Sequence, residues 1–226
     1  MKKYENLENS LFETLTDKSL ELSGEIVELT VDQFIENDLL KEIPFFSIFY
    51  KSIKTVSGVR DALFAMKVYK FLKEFEKIKQ KEKSKFLEKI TVNKNEKIKV
   101  GQTLIMILDK IDEIDKTQII ANLFAGYIKS DLTKSEFTQL CSIVEKSFLD
   151  DLKLFAKMKK YDDLSNEINA NLASSGLMTP IIMDLKSMYG SSAIIEDENN
   201  KNMIVYVTSK LGFKMRKYII VNTPSS

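Results

Sequence analysis

Phe64, Val68, Phe71, Leu72 and Phe75 recur at intervals of three and four residues, with Lys67, Lys70, Lys73 and Lys77 between them. Side chains so spaced share one side of a helix turning once every 3.6 residues, so the stretch is an amphipathic helix with a cationic flank. The same spacing returns in Leu104, Ile107, Leu108, Ile111 and Ile114, and again from Ile119 to Ile128. A further run follows Thr133, with Phe137, Leu140, Cys141, Val144, Phe148, Leu152 and Phe155 as its apolar positions. Seven glycines and three prolines in 226 residues are too few turn formers for a long β-sheet protein. Short connectors between such helices make them antiparallel neighbours. The fold class is therefore mainly α, with a multi-helix bundle over residues 1–160.

Punctuation refines this picture. Apolar residues from Leu7 to Phe34, interleaved with acids, predict one or two amphipathic helices, with Gly24 as a break. Thr30 and Gln33 have the spacing of a capping box before a short helix at 31–40, and Thr133 with Glu136 repeats the motif. Pro44 suits the first turn of a helix. A short helix is expected near 82–90, and the next from Gly101 or Thr103. Asp115 is expected to cap a helix at 116–129.

The pattern changes after Lys160, which sets off a second module over 161–226. A helix from about 162 should end at Gly176, and Thr179-Pro180 should open another that ends at Gly190. Two β-prone runs, Ala193 to Ile195 and Met203 to Val207, flank an Asp- and Asn-rich turn and predict a β-hairpin. Thr208 or Ser209 would then cap a last helix over Leu211 to Ile220. Two helices, a hairpin and a helix, with "LASSGLM" followed by "YVTSKLGFKMRKYI", resemble the ending of bacterial winged-helix modules over about 60 residues. The resemblance implies a DNA-binding alternative in which Lys186, Lys210, Lys214, Arg216 and Lys217 contact phosphate. Asp184 beside Lys186 and the acidic tip "EDENNK" depart from a DNA reader.

Composition excludes much chemistry. Histidine is absent, which removes the usual general base near neutral pH, the Ser-His and Cys-His pairs and the commonest transition-metal ligand. Asp109, Asp112, Glu113 and Asp115 lie close together but lack the glycine turn of a calcium loop, and are expected to form a polar face. No phosphate-binding G-x-x-x-x-G-K-S/T occurs. The expectation is a chain with no catalytic residues, no cofactor and no metal. Cys141, the single cysteine, sits on an apolar stripe and is expected in the core. With no internal disulfide and no basic-then-apolar start after Met1, the expected compartment is the cytoplasm. Residues 5 to 42 carry eleven acids against Lys18 and Lys41, whereas residues 67 to 99 carry twelve lysines against five glutamates. These runs are expected to be solvated helix faces, with an anionic partner as the alternative.

The most apolar segment is "IPFFSIFY", Ile43 to Tyr50, which is too short to span a bilayer, a task that needs about 20 residues. Phe45, Phe46, Phe49 and Tyr50 cover most of a helix, so they are buried in a core, bind a partner, or rest on a membrane surface, in that order of expectation. From "VRDALFAMKVYKFLKEF" to "ANLFAGYIKSDLTKSEFTQLCSIVEKSFLDDL" the chain resembles bacterial phage-defence proteins of the abortive-infection alpha kind, in which an apolar "IP" segment precedes a helical region. That resemblance implies a phage-defence setting and no transferable chemistry. The expectation is an interaction protein that acts through protein–protein contacts or self-association, with a membrane-disturbing toxin as a further alternative.

Overall fold

The computed structural model describes residues 2–17, 22, 26, 29–52, 58–91, 94–158, 164–184 and 202–219. It is mainly helical, and the described residues contain one two-stranded antiparallel sheet near the C-terminus. The chain divides into two compact units, residues 1–145 and 146–226. This division falls earlier than the change of pattern at residue 160.

The first unit comprises α1 (Lys2–Thr16), α2 (Val31–Glu36), a 3-10 turn (Asp38–Glu42), α3 (Pro44–Ser52), α4 (Val59–Glu76), α5 (Gln80–Thr91), α6 (Lys94–Lys110), α7 (Lys116–Ile128) and α8 (Lys134–Lys146), which ends at the boundary. Both capping boxes form. Gln33 N–H donates to Thr30 Oγ1 and Thr30 N–H to Gln33 Oε1 at 3.0 Å, while Thr133 N–H donates to Glu136 Oε2 at 3.0 Å. α3 starts at Pro44, whose missing N–H costs nothing in a first turn.

Helix α4 is the hub, packing on α7, α2 and α6. The stripe that opened the sequence argument lies inside: Val68, Phe71, Leu72 and Phe75 are buried, and Phe71 and Phe75 meet Phe124 of α7 at ring-centroid distances of 5.5 and 6.1 Å. Beside it, Phe34 of α2 meets Phe46 of α3 and Tyr69 of α4 edge-on. Helix α1 lies against α3 and α6. Phe45 N–H donates to the buried Thr14 Oγ1 at 3.0 Å, tying α3 to α1.

The helix expected at 31–40 ends at Glu36, with Asn37 separating it from the 3-10 turn, and two further details differ from expectation. Helix α6 begins at Lys94, so Gly101 lies inside it and does not start it. The glycine serves contact: a Cβ there would stand 2.8 Å from the Glu8 backbone oxygen of α1. Asp115 sits at the start of α7 but makes no side-chain cap, because its carboxylate pairs with Lys70 Nζ at 2.5 Å.

The second unit comprises α9 (Leu149–Lys157), α10 (Asn166–Ser175), β1 (Met178–Asp184), β2 (Asn202–Thr208) and α11 (Lys210–Met215). Ser165 caps α10, and Gly176 ends it at φ 95°, where a side chain would be strained. Over the described residues the start of the helix expected after Thr179-Pro180 is a strand, and the rest of that expected helix, to Gly190, lies outside the described residues. Ile181 and Ile182 are β-branched and pair with Val205 and Ile204. Thr179-Pro180, taken for a cap, lies within this ladder. The run Ala193 to Ile195 lies outside the described residues. Among the described residues this unit runs two helices, two strands and a helix, of which α9 lies before the expected start of the module at 161. Ser209 caps α11 as expected, accepting from Gly212 N–H at 2.9 Å, and this helix ends at Met215.

Candidate interaction surface

Phe45, Phe46 and Phe49 are 0, 0 and 4% exposed, so these members of the expected partner-binding set form core. Phe45 and Phe49 stack at 5.9 Å, and Phe49 meets Phe64 of α4 at 5.7 Å. Tyr50 is half-buried; its hydroxyl is enclosed without a hydrogen-bond partner, and burial pushes its pKa up to about 12. The three phenylalanines are spent inside the bundle and offer no face to a partner or a membrane surface. Among the described residues no helix is long and apolar enough to cross a membrane.

The acidic segment after α6 is neutralised from within. Asp109 faces Arg60 at 3.6 Å, Asp112 meets Lys116 at 2.7 Å, and Asp115 holds Lys70. Burial alone would raise the Asp112 pKa, but the Lys116 hydrogen bond and charge hold it below the usual carboxylate value. Lys116 is only 1% exposed, so its ammonium depends on these carboxylates. Lys67, also buried, donates to the Asp109 and Ile111 carbonyls at 3.3 and 2.7 Å and closes the end of α6. Desolvation lowers its pKa, with Asp109 opposing. The described residues contain no group of three or more side chains arranged to hold a metal.

A cleft of about 820 Å³ opens between α5, α7 and the start of α8. Phe86, Tyr127 and Leu132 form its apolar wall, and Lys129 and Lys134 face Glu82 and Glu96 across it at 3.8 and 3.6 Å. Those separations are charge contacts, too long for direct hydrogen bonds.

The nucleic-acid set scatters. Lys186 lies outside the described residues. Lys210 and Lys217 are exposed on or just after α11, and Lys214 is half-buried. Arg216 turns inward, its guanidinium 4.8 Å over the Phe155 ring and donating to Thr208 Oγ1 at 3.3 Å. Helix α10, directly before the strands, has Asn166, Glu167, Ala170 and Ser174 as its exposed residues and carries no cation. A helix entering a groove between phosphate rows gains most of its affinity from such cations. Asn169 and Asn171 are engaged with Leu164 O and Asp151 Oδ2.

Sequence reasoning missed the surface of the two-stranded sheet. Pro180 and Ile182 share one face with Ile204 and Tyr206; Ile181 shares the other with Val205 and Val207. Ile182 and Ile204 are directly opposite each other and 70 and 58% exposed. Ile181 and Val207 are exposed on the other face, and Phe213 and Phe148 elsewhere in the same unit. The signal was present in the β-branched pair at 181–182, masked by the Thr-Pro that precedes it.

A scan against protein-family models matches no family, and searches of curated proteins and of solved structures return no match.

Proposed function

We propose that this chain is a non-catalytic interaction protein that acts through protein–protein contacts made by the β1–β2 sheet of its second unit. The observation that carries the reading is the cross-strand pair Ile182 and Ile204, exposed on a sheet whose other face also presents Ile181 and Val207. Soluble proteins seldom leave contiguous apolar residues uncovered on both faces of one element unless another surface meets them. The cation-free α10 and the inward Arg216 weigh against the DNA-reading alternative.

The biological setting we propose is bacterial phage defence, supported by the pattern-level resemblance of residues 43–219 alone. The test is plaque formation on bacteria expressing the wild type, an Ile182→Asp variant, or neither, with protein levels measured. Wild type should lower plaquing, and Ile182→Asp should restore it at equal abundance. Equal plaquing with and without the wild type overturns the setting, and protection retained by Ile182→Asp overturns the role of the sheet.

A further inference from the structure

Among the described residues no strand pairs with the outer edge of β2, which leaves an edge able to accept one, and a neutral strand that fits it is the same strand of another copy. Ser209 N–H donates to Leu177 O at 2.9 Å, one step beyond the Met178–Thr208 pair. Antiparallel pairs alternate between hydrogen-bonded and non-bonded, so Thr179–Val207, Ile181–Val205 and Met183–Met203 are the bonded pairs. The backbone groups of Asn202, Ile204, Tyr206 and Thr208 therefore point away from β1, along the outer edge of β2. On β1 the outward positions are Met178, Pro180, Ile182 and Asp184, and Pro180, in the middle of that edge, has no N–H.

The two edges thus differ. Pro180 blunts β1, whereas Asn202 to Thr208 contains no proline, no glycine and no charged side chain. Resting on the proposed function above, we infer that β2 pairs antiparallel with β2 of a second copy about a two-fold axis at Val205. In that register Val205 faces the partner's Val205 as a non-bonded pair. Ile204 exchanges backbone bonds with the partner's Tyr206, and Asn202 with the partner's Thr208, so every outward group of the strand is used. No like charges meet, since the strand has none. The four-stranded sheet so formed juxtaposes the exposed Ile204 side chains with the partner's Tyr206. Its contact area is small, which makes the dimer weak and dependent on concentration.

The register names its own test. Ile204→Pro and Tyr206→Pro each remove an outward N–H and leave the β1–β2 bonds intact, so both should fold with wild-type circular dichroism yet weaken the dimer at least about ten-fold in sedimentation equilibrium. Should either proline variant misfold, Val205→Cys reads the same geometry. Cα atoms in a non-bonded antiparallel pair lie about 4.5 Å apart, within disulfide reach. Mild oxidation should then give a covalent dimer of Val205→Cys and none of Phe213→Cys, an exposed control; native Cys141 is buried and does not interfere. A wild type that stays monomeric at several hundred micromolar, a dimer indifferent to both prolines, or no crosslink at Val205 overturns the proposal. If the wild type is monomeric while Ile182→Asp still abolishes phage protection, self-pairing falls and the sheet's role in binding stands.

Discussion

Replacing Gly101 by alanine sets two effects against each other. In an exposed helix interior the change stabilises by about 1 kcal/mol, because glycine has more backbone freedom to lose on folding. Here the added Cβ would stand 2.8 Å from the Glu8 carbonyl oxygen and 3.3 Å from the Glu8 carbonyl carbon and Cα. Carbon and oxygen normally approach no closer than about 3.3 Å, so α1 must retreat by roughly 0.5 Å. The obstacle is backbone, and no rotamer change relieves it. That retreat also pulls on the 3.0 Å bond from Phe45 N–H to Thr14 Oγ1, which fixes α1 to α3. Overpacking costs about 1–3 kcal/mol, and a clash against backbone that no rotamer relieves falls in the upper part of that range, about 2–3 kcal/mol, for a net loss of about 1–2 kcal/mol after the propensity gain. The expected fall in Tm is about 2–8 °C, followed by circular dichroism at 222 nm with urea melts in parallel. Lys99→Ala, at an exposed position of the same helix, should stay within about 0.5 kcal/mol of wild type. A Gly101→Ala protein melting at or above wild type would refute the close approach of α1 and α6.

Other outcomes follow from the same packing. Phe46→Asp places an unpaired charge at a fully buried site and should cost about 4 kcal/mol or more, seen as loss of cooperative melting; a folded variant would remove α3 from the core. Lys67→Met leaves the Asp109 and Ile111 carbonyls without their donor and should destabilise by about 1–3 kcal/mol in urea melts, while Lys81→Met, on an exposed stretch, should not. The Cys141 thiol has its pKa raised by burial, so folding favours its protonated form. Stability is therefore unaffected by this group well below pH 9.0 and falls as pH rises past that value, where only the unfolded thiol ionises. Cys141→Ala should flatten that alkaline decline in pH-dependent urea melts. Gly212→Ala would drive a Cβ into the Leu177 carbonyl oxygen and should disrupt the second unit, read as loss of the Arg216–Phe155 contact by NMR.

Most helices were legible because their information is local: apolar spacing sets the buried face, and Thr30, Thr133, Gly176 and Ser209 end or begin elements through bonds to near neighbours. Gly101 misled because a glycine that breaks an isolated helix also lets two helices touch, and only the location of α1 decides between them. Asp115 misled in the same way, since its carboxylate had a distant alternative in Lys70. Thr179-Pro180 has the grammar of a helix start, yet the strand partners 28 and 26 residues downstream, Val207 and Tyr206, override it. The exposed apolar surface of the sheet was hidden for that reason: until β1 is paired, nothing distinguishes Ile182 from a buried helical isoleucine. The segment Ile43 to Tyr50 shows the opposite case, in which composition narrowed the answer to three environments and packing chose one.

If β2 pairs with a second copy as proposed, Pro180 also limits how far association can proceed. A sheet with two receptive edges adds copies without limit and grows into a fibre, whereas a sheet receptive on one edge stops when two copies meet. In the proposed assembly, the N–H that this residue withholds from the outside of β1 would disfavour addition of a further copy there. Pro180→Val should restore the missing donor and let the proposed assembly elongate, detectable as rising thioflavin fluorescence and light scattering.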